Sequence, residues 1–148
     1  MSELSDLETA VVALVRNITL GGAPAFATVR GFADPDRRRA LSALARENSP
    51  AAFVLCTGRT RTGTGSKRVT RLSVSVLIGN RDLGGEDRVR LGDAGHPGSF
   101  QLLHSTMQAL DGAVALAGRR LVATNEQIIA ADDRFLVYEQ RYYVERPA

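Results

Sequence analysis

Residues 71–79 constrain what this chain can fold into more than any other stretch. Leu72, Val74, Val76 and Ile78 alternate with Arg71, Ser73, Ser75 and Leu77. That period of two marks a strand with one face turned toward a core. A strand of this kind needs a partner. The compact apolar run from Ala51 to Thr57 supplies one, and Gly58 to Arg68, rich in Gly and Thr, reads as the long turn of a protruding hairpin.

The rest of the chain supplies what covers such a sheet. Leu4, Leu7, Val11, Leu14, Val15 and Ile18 recur at helical spacing and predict an amphipathic helix over residues 4–18. Ser5 and Glu8 stand as a capping box at its start, and Gly21-Gly22 stop it. Residues 25–31 carry a weak strand signal. Asp34-Pro35 resembles an N-cap followed by a helical proline, leading into a short, mostly exposed helix over 36–47 with Arg37-Arg38-Arg39 as a solvated face. A polar, Gly-rich loop is expected from Asn80 to Gly98. Ser99 then caps a second apolar-striped helix carrying Phe100, Leu103, Met107 and Leu110, which ends at Asp111-Gly112. Two closing strands, Arg120 to Ala130 and Arg134 to Glu145, turn at Asp132-Asp133. The fold expected is one α+β domain over 1–148, an antiparallel β-sheet with the helices at 4–18 and 99–110 packed on one face and a long protruding β-hairpin.

Composition narrows the chemistry. A chain of 148 residues with one cysteine, Cys56, can form no internal disulfide and no Cys-rich zinc site. Acidic residues at Glu3, Asp6 and Glu8 do not make a signal-peptide start, and no apolar run approaches the ~20 residues of a membrane span. A soluble, intracellular-type protein is the expectation. Lys and Arg number 19 against 16 Asp and Glu, and only Lys67 is a lysine, an excess that permits a polyanion partner without requiring one.

No catalytic, cofactor or metal residues are expected. The stretch Gly58-Arg-Thr-Arg-Thr-Gly63-Thr-Gly65-Ser-Lys67 follows an apolar strand as a phosphate loop would, but Thr64 follows Gly63 and Arg68 follows Lys67, so the P-loop spacing fails. The alternating segment after it supplies no helix N-terminus for phosphate. Ser66 and Ser99 lack a nucleophile elbow. Cys56, inside an apolar run, reads as a small core residue. His96, His104 and Asp132-Asp133 read as loop, helix and turn residues. What remains is charge: Arg59, Arg61, Lys67, Arg68 and Arg71 fall close together with no acid between them. A cationic hairpin suits an acidic protein surface or nucleic acid, although no aromatic residue interleaves for base stacking.

Several features together resemble one family. They are the opening helix Leu4 to Ile18, the hairpin Ala51 to Gly79 with its exit Ile78-Gly79-Asn80-Arg81, the helix from Gly98-Ser99-Phe100 to Leu110-Asp111-Gly112, and the last strand Phe135 to Val144. In this order the chain resembles the tail terminator proteins of contractile-tailed, Mu-like bacteriophages and prophages. The resemblance implies a non-enzymatic role, in a ring typically of six copies that caps the tail tube and sheath, stops polymerisation and presents a surface to the head-tail connector. It places the chain at the head-proximal end of the virion tail, assembled in the host cytoplasm, with DNA passing through the lumen without specific binding and no membrane contact. Arg59, Arg61, Lys67 and Arg68 on the hairpin, with Arg81 at the strand exit, are the expected protein-interaction residues, as partners of carboxylates. The Asn80–Gly98 loop is a secondary expectation. Two other readings stay open: another ring-forming head-tail connector or baseplate component, and a small nucleic-acid-binding module using the basic hairpin.

Overall fold

A computed structural model of the chain describes residues 2–32, 36–82, 85–93, 96–132 and 134–147. The expected Asp34-Pro35 cap and Asp133 of the closing turn lie outside the described residues, as does the side chain of Arg37. Helix α1 (Glu3–Arg16) is followed by a two-strand ribbon, β1 (Thr19–Leu20) and β2 (Ala23–Pro24), then β3 (Thr28–Gly31), α2 (Arg37–Arg46), β4 (Ala51–Thr62) and β5 (Val69–Arg81). Next come α3 (Glu86–Leu91), the ribbon β6 (Gly92–Asp93) and β7 (His96–Pro97), and α4 (Ser99–Leu110). The ribbon β8 (Val114–Leu116) and β9 (Arg119–Arg120) leads into the closing strands β10 (Val122–Ala131) and β11 (Phe135–Pro147).

The main sheet has five strands in the order β10-β11-β5-β4-β3. The α+β expectation holds, and the central hairpin and closing hairpin lie side by side because β11 pairs with β5 along its whole length, Phe135 opposite Arg81 and Pro147 opposite Val69. Alternation on β5 then creates two faces. Leu72, Val74, Val76 and Ile78 point to one, where Leu7, Val11 and Val15 of α1 and Leu102, Leu103 and Leu110 of α4 bury them. This is the face the two apolar stripes require.

The other face is also covered in part, contrary to a one-faced sheet. Ala40 and Leu44 of α2 are buried against Ala51, Phe53, Leu55, Leu77 and Val137. The cause lies at β3, which pairs parallel to β4, Thr28 opposite Ala51 and Gly31 opposite Val54. A parallel neighbour needs a crossover connection that lies on one side of the sheet. With α1 and α4 occupying the first side, α2 takes the second. The weak strand signal in 25–31 is therefore a real edge strand, and the helix expected to be mostly exposed is a core element whose Arg38 and Arg39 face solvent. Gly79 admits it: a β-carbon there would stand 3.0 Å from Leu44 Cγ and Cδ2.

Several expected boundaries move for local reasons. Ser2, not Ser5, caps α1, its Oγ accepting from Ser5 N at 3.1 Å, with Glu3 and Asp6 complementing the first turn. The helix stops at Arg16, whose guanidinium donates to the Val29 carbonyl at 2.9 and 3.2 Å and so docks β3. Gly21 and Gly22, at φ +61° and +81°, turn the β1–β2 ribbon instead. Gly98 rather than Ser99 caps α4, and Gln101 Oε1 accepts from its N–H at 3.0 Å. Asp132 does turn the closing hairpin, its Oδ1 accepting from Arg134 N and Phe135 N, each at 2.8 Å.

Two substitutions separate the layers. Val11→Asp puts an unpaired charge under the first face and is expected to abolish the cooperative urea transition. Leu44→Ala is expected to keep the fold but to lower unfolding free energy by about 2–5 kcal/mol, as for other fully buried leucines. An unchanged urea midpoint for Leu44→Ala would mean that α2 does not pack on the sheet.

Candidate functional site: a cationic arm at one end of the sheet

The hairpin projects as an arm of paired strand rather than as a loose turn. The pairing of β4 with β5 continues to Thr62 opposite Val69, so the turn shrinks to residues 63–68, with a single 3-10 turn at Gly65–Lys67. Gly63 and Gly65 adopt φ +85° and +59° there, conformations that L side chains resist. Gly58 belongs to the strand and sits at a bulge, where the register shifts between Cys56 and Gly58. β3 ends at Gly31 opposite Val54, so the arm runs on beyond the last strand beside it.

The register sorts the cations. Arg59 lies opposite Leu72 and Arg61 opposite Thr70, which puts both arginines on the face that α1 and α4 cover further down. Thr60 and Thr62 point the other way, beside Arg71 and Val69. Lys67 and Arg68 occupy the turn, and all four sequence-predicted basic residues of the hairpin are exposed.

Their surroundings differ. Glu3 holds the base of the arm: its Oε2 accepts from Arg146 Nε at 2.6 Å and its Oε1 lies 3.8 Å from Arg59 Nη2. Arg71 is neutralised within the sheet by Glu145, 2.8 Å away and directly opposite in the register, and its guanidinium stacks 4.3 Å from the Tyr143 ring centroid. For Arg61, Lys67 and Arg68 no carboxylate stands within 4.0 Å among the described residues. On the α2 side, beyond α2 itself, Thr60, Thr62, Arg71, Ser73, Arg141 and Tyr143 line a shallow hollow of about 470 Å³.

Arg81 is not brought to this site. It lies at the opposite end of β5, where its Nη2 donates to the Ala45 carbonyl and its guanidinium sits 5.1 Å from the Phe135 ring centroid. Its backbone N–H donates to Ser49 Oγ at 2.8 Å. These contacts tie the end of α2 to the sheet. The Asn80–Gly98 segment is likewise not a simple loop, since it carries α3 and the β6–β7 ribbon. Buried Asn80 anchors it, donating to the Val89 carbonyl at 3.0 Å and the Pro97 carbonyl at 3.2 Å while its Oδ1 meets His96 Nε2 at 3.2 Å. Sequence reading missed Glu3, Glu145 and Tyr143. The Arg71–Glu145 pair becomes legible only once β11 is aligned beside β5, which no local signal supplies.

Two groups packed under the first face are held in their neutral forms. The Cys56 thiol donates to the Leu4 carbonyl at 3.3 Å, and burial, aided by the charge of Glu8, pushes its pKa up to about 12. Burial and the nearby Glu126 and Asp111 carboxylates push the Tyr142 phenol up as well. His104 is exposed on α4. Among the described residues there is no group of three or more His, Cys, Asp or Glu that could hold a metal ion, and no helix is long and apolar enough to cross a membrane.

The family model described as Bacteriophage Mu, Gp37 matches residues 3–138, from the first turn of α1 into β11. The chain belongs to the bacteriophage Mu Gp37 family. The matched span takes in both helices of the first face, α2, the whole arm and the closing turn, so family membership covers the site as well as the scaffold. It makes this a protein of Mu-like phages. No match was found among curated proteins.

The thiol gives a check on burial at the base of the arm. The unfolded thiol ionises near its ordinary value of 9.0 and the folded one at about 12. The stability it contributes is complete below pH 9 and is lost as pH rises from 9 toward 12. Alkylation of Cys56 at pH 8 is expected to be more than about tenfold slower in the folded chain than in urea. Equal rates would mean that α1 does not cover β4.

Proposed function

We propose that this Gp37-family chain is the tail terminator of a contractile-tailed, Mu-like phage. Copies close into a ring, typically of six, on the last layer of tube and sheath, block further subunit addition and offer a new surface to the head-tail connector. The work is geometric, without catalysis or cofactor. It is done in the host cytoplasm and leaves the protein at the head-proximal end of the virion tail, with DNA passing through the lumen unread. The observation that carries the reading is the arm: a strand-paired hairpin anchored in a two-sided core, ending in Arg61, Lys67 and Arg68, which no carboxylate of the described chain neutralises. Such an end is suited to acidic groups on another subunit. Family membership supports the phage setting.

The test joins folding to assembly. Reversing Arg59, Arg61, Lys67 and Arg68 to Glu should leave thermal unfolding nearly unchanged, since exposed positions usually shift stability by about 0.5 kcal/mol or less each. In infected cells that variant should give tails of uncontrolled length or tails that do not join heads, seen by electron microscopy. Tails of normal length and full infectivity would overturn the assignment of the arm.

A further inference from the structure

The main sheet has two open edges, and they match. On one side β10 is the last strand. Its beginning is covered, because Ala123 N donates to Asp111 Oδ1 at 3.1 Å, but no strand borders residues 124–131 on that side among the described residues. On the other side β3 covers β4 only as far as Val54, and among the described residues no strand borders 55–62 there. The two free stretches have the same length. Each contains a run of unbroken register beside a bulge, Asn125 to Ile128 on β10 and Gly58 to Thr62 on the arm. An exposed edge of unpaired N–H and C=O groups is a template for another strand.

From this we infer that the arm edge Gly58–Thr62 of one copy pairs with the β10 edge Asn125–Ile128 of the next. The inference rests on the ring reading above and names the contact that would build the ring.

Side chains agree with the backbone. Glu126 lies opposite Gln140, which lies opposite Val76, so Glu126 and Ile128 sit on the α1/α4 face, the same face as Arg59 and Arg61. Joined edges therefore bring the two arginines beside Glu126, an acidic group on the receiving strand. Ile128, half exposed at 50% in the isolated chain, meets their aliphatic stems. On the opposite face Thr60 and Thr62 meet Asn125 and Gln127. A hollow of about 300 Å³ between α4 and β10, lined by Phe100, Met107 and Glu126, lies beside this edge to receive a long side chain.

Direction and offset agree too. Three antiparallel steps separate β10 from β4, so repeating the sheet from copy to copy sets these strands antiparallel. Asn125 is level with Leu55 through Arg141 and Ser75. Since β3 blocks the lower part of β4, the incoming β10 must sit displaced toward the arm tip. A stagger between neighbouring strands is what a sheet needs in order to close into a ring. The contact uses different surfaces on the two copies, so it is heterologous and can close.

The test uses the full chain, with rings counted by negative-stain microscopy and mass by light scattering, alone and on purified tail tubes. Arg59→Glu with Arg61→Glu should raise the concentration needed for rings about a hundredfold. Glu126→Arg should do the same, and the three changes in one chain should restore rings. Because Glu126 also accepts from Gln140 at 2.7 Å, a second probe leaves it intact. Thr60→Cys with Gln127→Cys in a Cys56→Ser background should give a covalent ladder of copies on oxidation, and neither single cysteine should give one. Rings formed by both charge variants at the wild-type concentration, with no ladder from the cysteine pair, would overturn the edge pairing while the ring reading stands. A wild-type chain that forms no ring, alone or on tubes, would overturn both.

Discussion

Strand β5 is bonded on both edges, to β4 from Thr62 opposite Val69 down to Ala51 opposite Gly79, and to β11 from Pro147 opposite Val69 to Phe135 opposite Arg81. Everything else depends on that double pairing. It satisfies the backbone of the most buried segment, and through strict alternation it splits one strand into two core faces. Helices α1 and α4 are positioned by its even residues, α2 by Leu77 and Gly79. The arm is the same strand pair continued past the point where helices cover it. Its regular pairing is continued from the core, since the strand ladder does not stop where burial stops.

Much of this was legible in sequence because alternation and helical periodicity are local signals. The run Leu72 to Ile78 marks both a strand and its buried side, and the stripes of α1 and α4 mark the elements that cover it. What escaped was non-local. A parallel edge strand of four residues, Thr28–Gly31, has too little sequence to show a period. Its consequence, a crossover helix on the second face, could not be foreseen without it. Residues 36–47 read as exposed because arginines crowd that helix, yet Ala40 and Leu44 alone suffice to bury it where Gly79 leaves room. Residues 58–68 read as turn because of their glycines, whereas the strand preference of Thr60 and Thr62 prevails as far as Thr62.

The site divides in the same way. That the hairpin would be basic and exposed followed from composition, and all four cations are exposed, though Arg59 and Arg61 stand on paired strand and only Lys67 and Arg68 in the turn. Which cations stay unneutralised did not follow, because it depends on strands distant in sequence. Glu145 reaches Arg71 only through the β5–β11 register, and Glu3 reaches the arm only because α1 lies across it. Arg81 shows the opposite outcome: next to the hairpin in sequence, it stands at the far end of a strand of 13 residues and serves as a brace for α2.

The arm's charge also bears on how copies avoid meeting wrongly. Between Gly58 and Arg81 the chain has no acidic residue. Two arms approaching edge to edge would set Arg59 and Arg61 of one against the same residues of the other, and like charges placed opposite in a sheet are unfavourable. The symmetric, head-to-head encounter that an open strand invites is therefore repelled by the strand's own side chains. In the ring proposed above, that repulsion would fix the sense in which copies join before any two of them touch.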